Sequence, residues 1–193
     1  MLKNILSLII AATVVVSGTS NLTPATSDTN PSDIVLANAN LVSGEFNAAF
    51  EFTPAESKNG LQLAVTASGL DMETAYSYHI HAKLVPADGN CTETGGHLDP
   101  FKIKETAGTA YKCDKDNAQT TCELGDLAGM FGSMTADADG KFTLNAPESI
   151  LTFGGDNNIL GYSVVIHRPD STRLACANID SFTAAPVNPV KKC

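Results

Sequence analysis

Apolar and polar residues alternate along several short segments of this chain, and this period of two constrains the fold more than any other feature. Residues 46–52 have Phe or Ala at every second position, and residues 61–67 have Leu, Val or Ala at every second position. Side chains of a strand point alternately to its two faces, so each segment predicts a strand with one buried face.

Further strand segments follow the same pattern less strictly, separated by turn signals at 68–69, 139–140 and 154–158. The first strand is expected to begin at Ile34, and no segment after residue 20 has the period of an amphipathic helix. Many short strands with regular turns predict an all-β fold, a Greek-key, immunoglobulin-like β-sandwich or flattened eight-stranded barrel. The further segments are 75–82, 128–136, 141–145, 161–167 and 174–179.

Residues 85–122 have no clear strand pattern and contain three of the five cysteines. A connection of this length without secondary structure is uncommon in a compact domain unless it has a function or a covalent constraint. The sequence therefore predicts a long functional or disulfide-organised loop.

The N-terminus has the features of a secretory signal peptide. Lys3 precedes an apolar run at 5–16, and small residues follow at 17–20. The run is shorter than the roughly 20 residues that a membrane-spanning helix needs, which disfavours an uncleaved anchor. The sequence predicts a signal peptide at 1–20, a disordered linker at 21–33, a sandwich domain at 34–182 and a polar tail at 183–193.

The charge balance excludes some partners. Without the signal peptide, 11 Lys and Arg residues remain against 21 Asp and Glu residues. A strongly acidic protein is a poor partner for nucleic acid or an anionic membrane, so neither is expected. Any attraction for an anionic substrate must come from a local group.

Five cysteines in a secreted chain indicate disulfides with one cysteine left over. Cys113 and Cys122 flank a short polar stretch and can close a small loop. Cys91 and Cys176 then form a long-range bridge, and Cys193 is left over. The spacing alone leaves other pairings open. No C-x-x-C pair is present, which disfavours a zinc–thiolate cluster.

Two features concern the secreted form. N-x-Thr acceptor sequences at Asn21 and Asn90 predict a glycoprotein. Residues 185–193 lack the hydrophobic tail of a lipid-anchor signal, which favours a soluble secreted protein.

The chain has four histidines, His79, His81, His97 and His167. His79 and His81 are two apart on a predicted strand, so both side chains point to one face. His167 ends another strand, and His97 lies in a glycine-rich turn. Taken alone, each fits an ordinary strand or loop histidine. Imidazoles suit Cu, Zn, Fe or Ni, and an all-nitrogen set favours Cu(II) in a tetragonal site.

Several short motifs occur in the order found in copper-type superoxide dismutases, and the chain resembles this family over roughly 46–179. The order makes the resemblance specific, because no single motif does so. The resemblance implies a sandwich fold, a copper cofactor and superoxide as the substrate. The motifs are His79-Ile80-His81, Asn90-Cys91, Gly96-His97-Leu98-Asp99-Pro100, Gly125-Asp126-Leu127, Ser163-Val164-Val165-Ile166-His167 and Arg173-Leu174-Ala175-Cys176.

The chain departs from the zinc-binding members of that family in two ways. Those members have further histidines and an aspartate after the histidine that His97 matches, whereas residues 98–122 contain no histidine. They also have a long loop before the arginine, whereas five residues separate His167 from Arg173 here. Both absences resemble the copper-only superoxide dismutases, which are secreted, cell-surface or cell-wall enzymes. The resemblance therefore implies copper without zinc.

The resemblance also implies a ligand set and its support. The four histidines bind the copper. Glu123 takes over the role of zinc by holding the second ring nitrogen of His97, and Asp126 gives further support. The simpler interpretations are a solvated loop acid for Glu123 and a turn residue for Asp126.

The implied reaction converts superoxide to O₂ and hydrogen peroxide as copper alternates between two oxidation states, with His97 supplying a proton. Arg173, held near a Cys91–Cys176 bridge, gives the anion fixed donors and a local positive charge. The protein is expected to be a monomer. Two alternatives remain: a non-enzymatic extracellular copper-binding or carrier module, and a structural or adhesive sandwich with a degenerate site.

Overall fold

The computed structural model describes residues 34–56, 60–146 and 149–184; the expected signal peptide, linker, Asn21 and Cys193 lie outside these ranges. The described residues form strands and three short α-helices. The strands are β1 Ile34–Ser43, β2 Phe46–Pro54, β3 Leu61–Ser68, β4 Ala75–His81, β5 Met134–Thr135, β6 Lys141–Ala146, β7 Ser163–His167, β8 Arg173–Asn178 and β9 Asp180–Ala184. The helices are α1 Ile103–Ala107, α2 Ala118–Thr121 and α3 Leu127–Phe131.

The strands form two antiparallel sheets, which confirms the all-β prediction. One sheet has the order β6-β3-β2-β1-β9 and the other β5-β4-β7-β8. The chain passes from one sheet to the other after β3, β5, β6 and β8. The described residues therefore contain nine strands where eight were expected. The additional strand is β9, which ends at Ala184, two residues beyond the predicted domain end.

The core lies between the two sheets. Phe50 and Leu63 point inward from the five-stranded sheet and are fully buried, as are Tyr78 and Ile80 of the facing sheet. The Phe50 and Tyr78 ring centroids are 5.7 Å apart. Burying each side chain of this size stabilises the fold by about 1.5–3 kcal/mol. The apolar residues that alternate along β2 and β3 thus form the core face of one sheet.

β4 and β7 are buried on both faces. All five residues of β7 are buried, and so are the last four residues of β4. One face packs against the other sheet, and the opposite face is covered by the long connection between β4 and β5. The backbone of this connection is hydrogen-bonded to β4: the Ile80 amide donates to the Gly125 carbonyl at 2.9 Å. This connection creates an interior compartment on the side of the sheet away from the core.

The strand predicted at 128–136 is wrong. Residues 128–131 of that segment belong to α3, and only Met134–Thr135 form a strand. The Asp126 side chain accepts from the Gly129 amide at 2.8 Å and so begins the helix as an N-cap. Leu127 and Met130 are three residues apart and both buried, which is a helical spacing. Within the described residues, none of the helices is long and apolar enough to span a membrane.

Candidate metal centre

The four histidines converge beneath the long connection. Each offers one ring nitrogen, and these four nitrogens all lie within 4.8 Å of one another. His79, His81 and His167 are buried, and His97 is half-buried. Among the described residues, this is the one group of three or more His, Cys, Asp or Glu side chains with such a spacing.

Strand pairing positions three of the four histidines. β4 and β7 are antiparallel neighbours with His81 opposite Ser163 and His167 opposite Ser77. Paired residues share a face, so His79, His81 and His167 all point away from the core. The Nε2 atoms of His81 and His167 come within 3.1 Å of each other.

A ring of backbone hydrogen bonds positions the fourth histidine. The Leu98 amide donates to the Ile80 carbonyl, and the Gly125 amide donates to the Leu98 carbonyl, both at 2.8 Å. This places His97 beside the end of β4, in a single bridge opposite His81. A Cβ atom at Gly125 would lie 2.2 Å from the Ile80 oxygen, so only glycine allows this close approach.

Three histidines have an oxygen acceptor on the outward ring nitrogen. Nδ1 of His81 lies 2.9 Å from the Gly95 carbonyl, and Nδ1 of His167 lies 3.2 Å from the Ser171 carbonyl. Nδ1 of His97 lies 2.6 Å from Oε2 of Glu123. A carbonyl only accepts, so Nδ1 carries the proton and Nε2 presents its lone pair to the centre. Metal-binding histidines have this arrangement.

His79 is turned the other way. Its Nε2 atom lies 3.5 Å from Oδ1 of Asp126, and its Nδ1 atom is buried without any hydrogen-bond partner. An unpaired buried nitrogen is costly unless a ligand satisfies it. The unpaired Nδ1 of His79 and the facing Nε2 atoms of His81 and His167 therefore fit a metal ion bound between them.

The buried histidines are held neutral. Burial lowers the pKa of His79 to about 2 and the pKa of His81 to about 3. Burial also lowers the pKa of His167. At neutral pH these imidazoles are uncharged, which is the form that binds metals.

The two carboxylates predicted to support the histidines are both buried. Glu123 is 3 % exposed, and Asp126 is 8 % exposed. Besides its contact with His97, Glu123 has the Lys104 ammonium 3.7 Å from Oε1. Buried acids are rare without partners. The structure therefore gives Glu123 a basic neighbour on each carboxylate oxygen.

Arg173 is fixed at the edge of the site by several acceptors. Its Nη1 donates to the Cys91 carbonyl and to Thr94 Oγ1, the latter at 3.0 Å, and its Nη2 donates to the Gly95 carbonyl at 2.6 Å. Cys91 also forms a disulfide with Cys176, with a Cα–Cα distance of 5.7 Å. The long connection is thus tied covalently and by hydrogen bonds to β8. A second disulfide joins Cys113 and Cys122.

An open cavity of about 470 Å³ leads from the surface to the histidines. Its wall combines imidazoles with two cationic side chains and acidic groups. The lining side chains include His81, His97, His167, Lys104, Glu123 and Arg173.

Sequence reasoning missed two residues that contact the carboxylates of the site. Lys104 lies on the cavity wall, and the Tyr111 hydroxyl contacts both Asp126 and the backbone of Glu123. Both lie in the part of the loop without any strand period, and no local pattern could have identified them. Their partners become visible only once the loop is folded.

Comparison with known proteins gives consistent results. Residues 46–179 match the family described as copper/zinc superoxide dismutase. A cell surface Cu-Zn superoxide dismutase 4 from Candida albicans is 35% identical over 142 residues, which cover 72% of this chain and 55% of that protein. A cell surface Cu-only superoxide dismutase from Arthroderma benhamiae is 40% identical over 116 residues, covering 55% of this chain and 28% of that protein.

Solved structures give the same match. The structure of Candida albicans superoxide dismutase 5 with Cu(II) superposes with a TM-score of 0.63 and 28% identity, covering 76% of this chain and 91% of that one. The chain spans about a quarter to about a half of the length of the first curated relatives. The similarity therefore concerns the described sandwich and its histidine centre.

Proposed function

The chain belongs to the copper/zinc superoxide dismutase family, and we propose that it converts superoxide to O₂ and hydrogen peroxide at a single copper ion. The observation that carries this proposal is the convergence of four imidazoles, each with one ring nitrogen within 4.8 Å of the others, together with a buried Nδ1 atom of His79 that has no hydrogen-bond partner. A set of neutral imidazoles without thiolate suits copper.

The residues that would hold the copper are His79 through Nδ1 and His81, His97 and His167 through Nε2. When bound, copper supplies one-electron oxidation and reduction, which is what disproportionation of superoxide requires. The strands keep three of these rings fixed and buried, whereas His97 is on the loop and is half-buried.

His97 is the residue best placed to deliver a proton. Hydrogen peroxide needs two protons for each superoxide that is reduced. The Glu123 hydrogen bond leaves Nε2 of His97 free, so this atom could carry one of them whenever it is not bound to the metal. The Glu123 carboxylate would stabilise a positively charged His97 ring and keep its orientation while the proton moves.

Arg173 and Lys104 would attract the substrate. The chain has a formal net charge of −9, which opposes the approach of an anion. Two cations on the cavity wall would provide local positive charge for the anion. The hydrogen bonds of Arg173 to fixed acceptors hold its guanidinium in place, so little side-chain entropy is lost when superoxide binds.

We further propose that the centre works without zinc and that the protein acts outside the cell. Residues 98–122 contain no histidine, and Glu123 provides the contact to His97 that a second metal would otherwise supply. The relatives named as cell surface enzymes support an extracellular or cell-surface location.

The proposed function is tested by the decay of a pulse of superoxide in the presence of copper-loaded protein. We expect catalytic decay that Arg173→Ala slows by about tenfold or more. Arg168→Ala is the matched control, because this substitution removes the same charge from an exposed position outside the cavity wall. Stoichiometric copper without accelerated decay would contradict the proposal and leave a copper-binding module.

A further inference from the structure

One hydroxyl lies between the two acidic residues behind the histidines. The Tyr111 hydroxyl donates to Oδ2 of Asp126 at 2.6 Å and accepts from the backbone amide of Glu123 at 3.0 Å. Tyr111 is half-buried, and the Lys104 ammonium lies 5.5 Å from its ring centroid. Both hydrogen-bonding capacities of the hydroxyl are therefore used within the site.

Each of these acidic residues contacts a different histidine. Oδ1 of Asp126 lies 3.5 Å from Nε2 of His79, and Oε2 of Glu123 lies 2.6 Å from Nδ1 of His97. The rings of His79 and His97 are themselves stacked, with centroids 3.8 Å apart. A shift of either carboxylate changes the relative position of two neighbouring imidazoles.

The small disulfide explains why Tyr111 reaches both residues. Cys113 is two residues after Tyr111, and Cys122 is the residue before Glu123. Their bond brings the two loop segments together, with a Cα–Cα distance of 4.4 Å. The contact of Tyr111 with Asp126 and Glu123 is therefore a consequence of how the loop is closed.

We propose that Tyr111 is a positioning residue that sets the geometry of His79 and His97 toward copper by holding Asp126 and the Glu123 backbone in place. This inference rests on the proposed copper centre. The hydroxyl remains a donor, because burial and the hydrogen bond to Asp126 raise the pKa of Tyr111. Without the hydroxyl, Asp126 loses one of its hydrogen-bond donors and Glu123 loses an acceptor for its amide.

The chain contains a close structural match that serves as a control. The Tyr76 hydroxyl donates to Oδ2 of Asp71 at 2.8 Å and accepts from the Asp71 amide at 3.3 Å. Tyr76 thus has the same two kinds of hydrogen bond as Tyr111. It points to the core face of β4, opposite to the face that carries His79.

The test compares Tyr111→Phe with Tyr76→Phe. Copper affinity is measured by competition with a chelator, and the electron paramagnetic resonance spectrum of bound Cu(II) reports the ligand geometry. We expect Tyr111→Phe to weaken copper binding by about tenfold and to change the spectrum, as loss of an outer partner does. Tyr76→Phe should leave both unchanged, since distant sites act independently.

Equal effects of the two substitutions, or no effect of Tyr111→Phe, would overturn the proposal. Thermal unfolding of the metal-free proteins is measured as a control, to check that both variants are folded. A second measurement uses the Asp126→Asn background, in which Tyr111→Phe should lower copper affinity severalfold less than in the parent. An undiminished effect there would also overturn the proposal.

These measurements separate the inference from the proposed function. Copper affinity and spectrum do not depend on turnover. A parent protein that binds copper without consuming superoxide would end the proposed enzyme activity, yet it would leave the positioning role of Tyr111 measurable.

Discussion

The metal centre is built from two regions of different character. The sheet region, β4 and β7, supplies His79, His81 and His167 from strands that are buried on both faces. The loop region, residues 82–133 between β4 and β5, supplies His97 and both carboxylates. The first is held by a regular ladder of hydrogen bonds, and the second by two disulfides and a few specific backbone contacts.

From this difference we infer different roles for the strand histidines and the loop histidine. Strand histidines keep a fixed geometry because neighbouring residues of the ladder hold them. The loop histidine is half-buried where the strand histidines are buried, and it has a carboxylate partner at 2.6 Å, so it is the ring that we propose for proton transfer. Substitutions in the two regions should therefore have different consequences.

The largest expected effect concerns the bridge that joins the two regions. Cys91 and Cys176 are separated by 85 residues, whereas Cys113 and Cys122 are separated by 9. Chain-entropy arguments give about 4–5 kcal/mol for the long bridge and about 2–3 kcal/mol for the short one. In denaturant titrations, we expect the Cys91→Ser, Cys176→Ser double variant to lose more free energy of unfolding than the Cys113→Ser, Cys122→Ser double variant. Equal losses would show that the loop is not held to the sheet mainly by the long bridge.

The next effect concerns the glycine at which loop and sheet touch. Gly125→Ala places a Cβ atom against the Ile80 carbonyl, and such overpacking typically costs up to about 3 kcal/mol of unfolding free energy. Copper affinity should fall as well, because His97 and Glu123 depend on this contact. Gly154→Ala is the control, since a Cβ atom there has no neighbour within 4 Å and the backbone is extended. A harmless Gly125→Ala would contradict the described contact.

Much of the sheet region could be predicted from the sequence. Alternation identified β2 and β3, and it correctly placed His79 and His81 on one face of β4. Period-two reading succeeds there because each strand has one face against the core and the register follows from that burial. The same reading failed at 128–136, where Asp126 caps a helix and the spacing of Leu127 and Met130 is helical.

Little of the loop region could be predicted without a resemblance. The approach of Glu123 to His97 joins residues 26 apart through a folded loop, and no periodic pattern encodes that distance. Tyr111 and Lys104 were missed for the same reason. Their contacts with Glu123 and Asp126 join residues that are far apart in the sequence of the loop.

A smaller effect is expected from the carboxylate of the loop region. Glu123→Gln keeps the size of the side chain but removes the charge that faces His97 and Lys104. We expect turnover of superoxide to fall by about 10- to 100-fold, in the range found for partners of metal-binding histidines. Glu105→Gln is the control, because Glu105 lines the same cavity but is exposed and pairs with Lys102. Similar losses in both variants would indicate a general charge effect.

The smallest expected effect concerns Lys104. Lys104→Gln should lower kcat/KM by about two- to threefold at low ionic strength, because a cation on the cavity wall speeds the approach of an anion. The effect should disappear in high salt. Lys102→Gln removes the same charge from an exposed residue outside the cavity wall. A rate that responds equally to both substitutions would assign the effect to net charge.

Metal content tests the central claim most directly, namely that the four histidines hold one copper and that Glu123 replaces a second metal. The protein is incubated with copper and zinc together, freed of unbound metal and analysed for both elements. We predict one copper and no zinc for each chain. One zinc bound in addition to one copper would contradict the account.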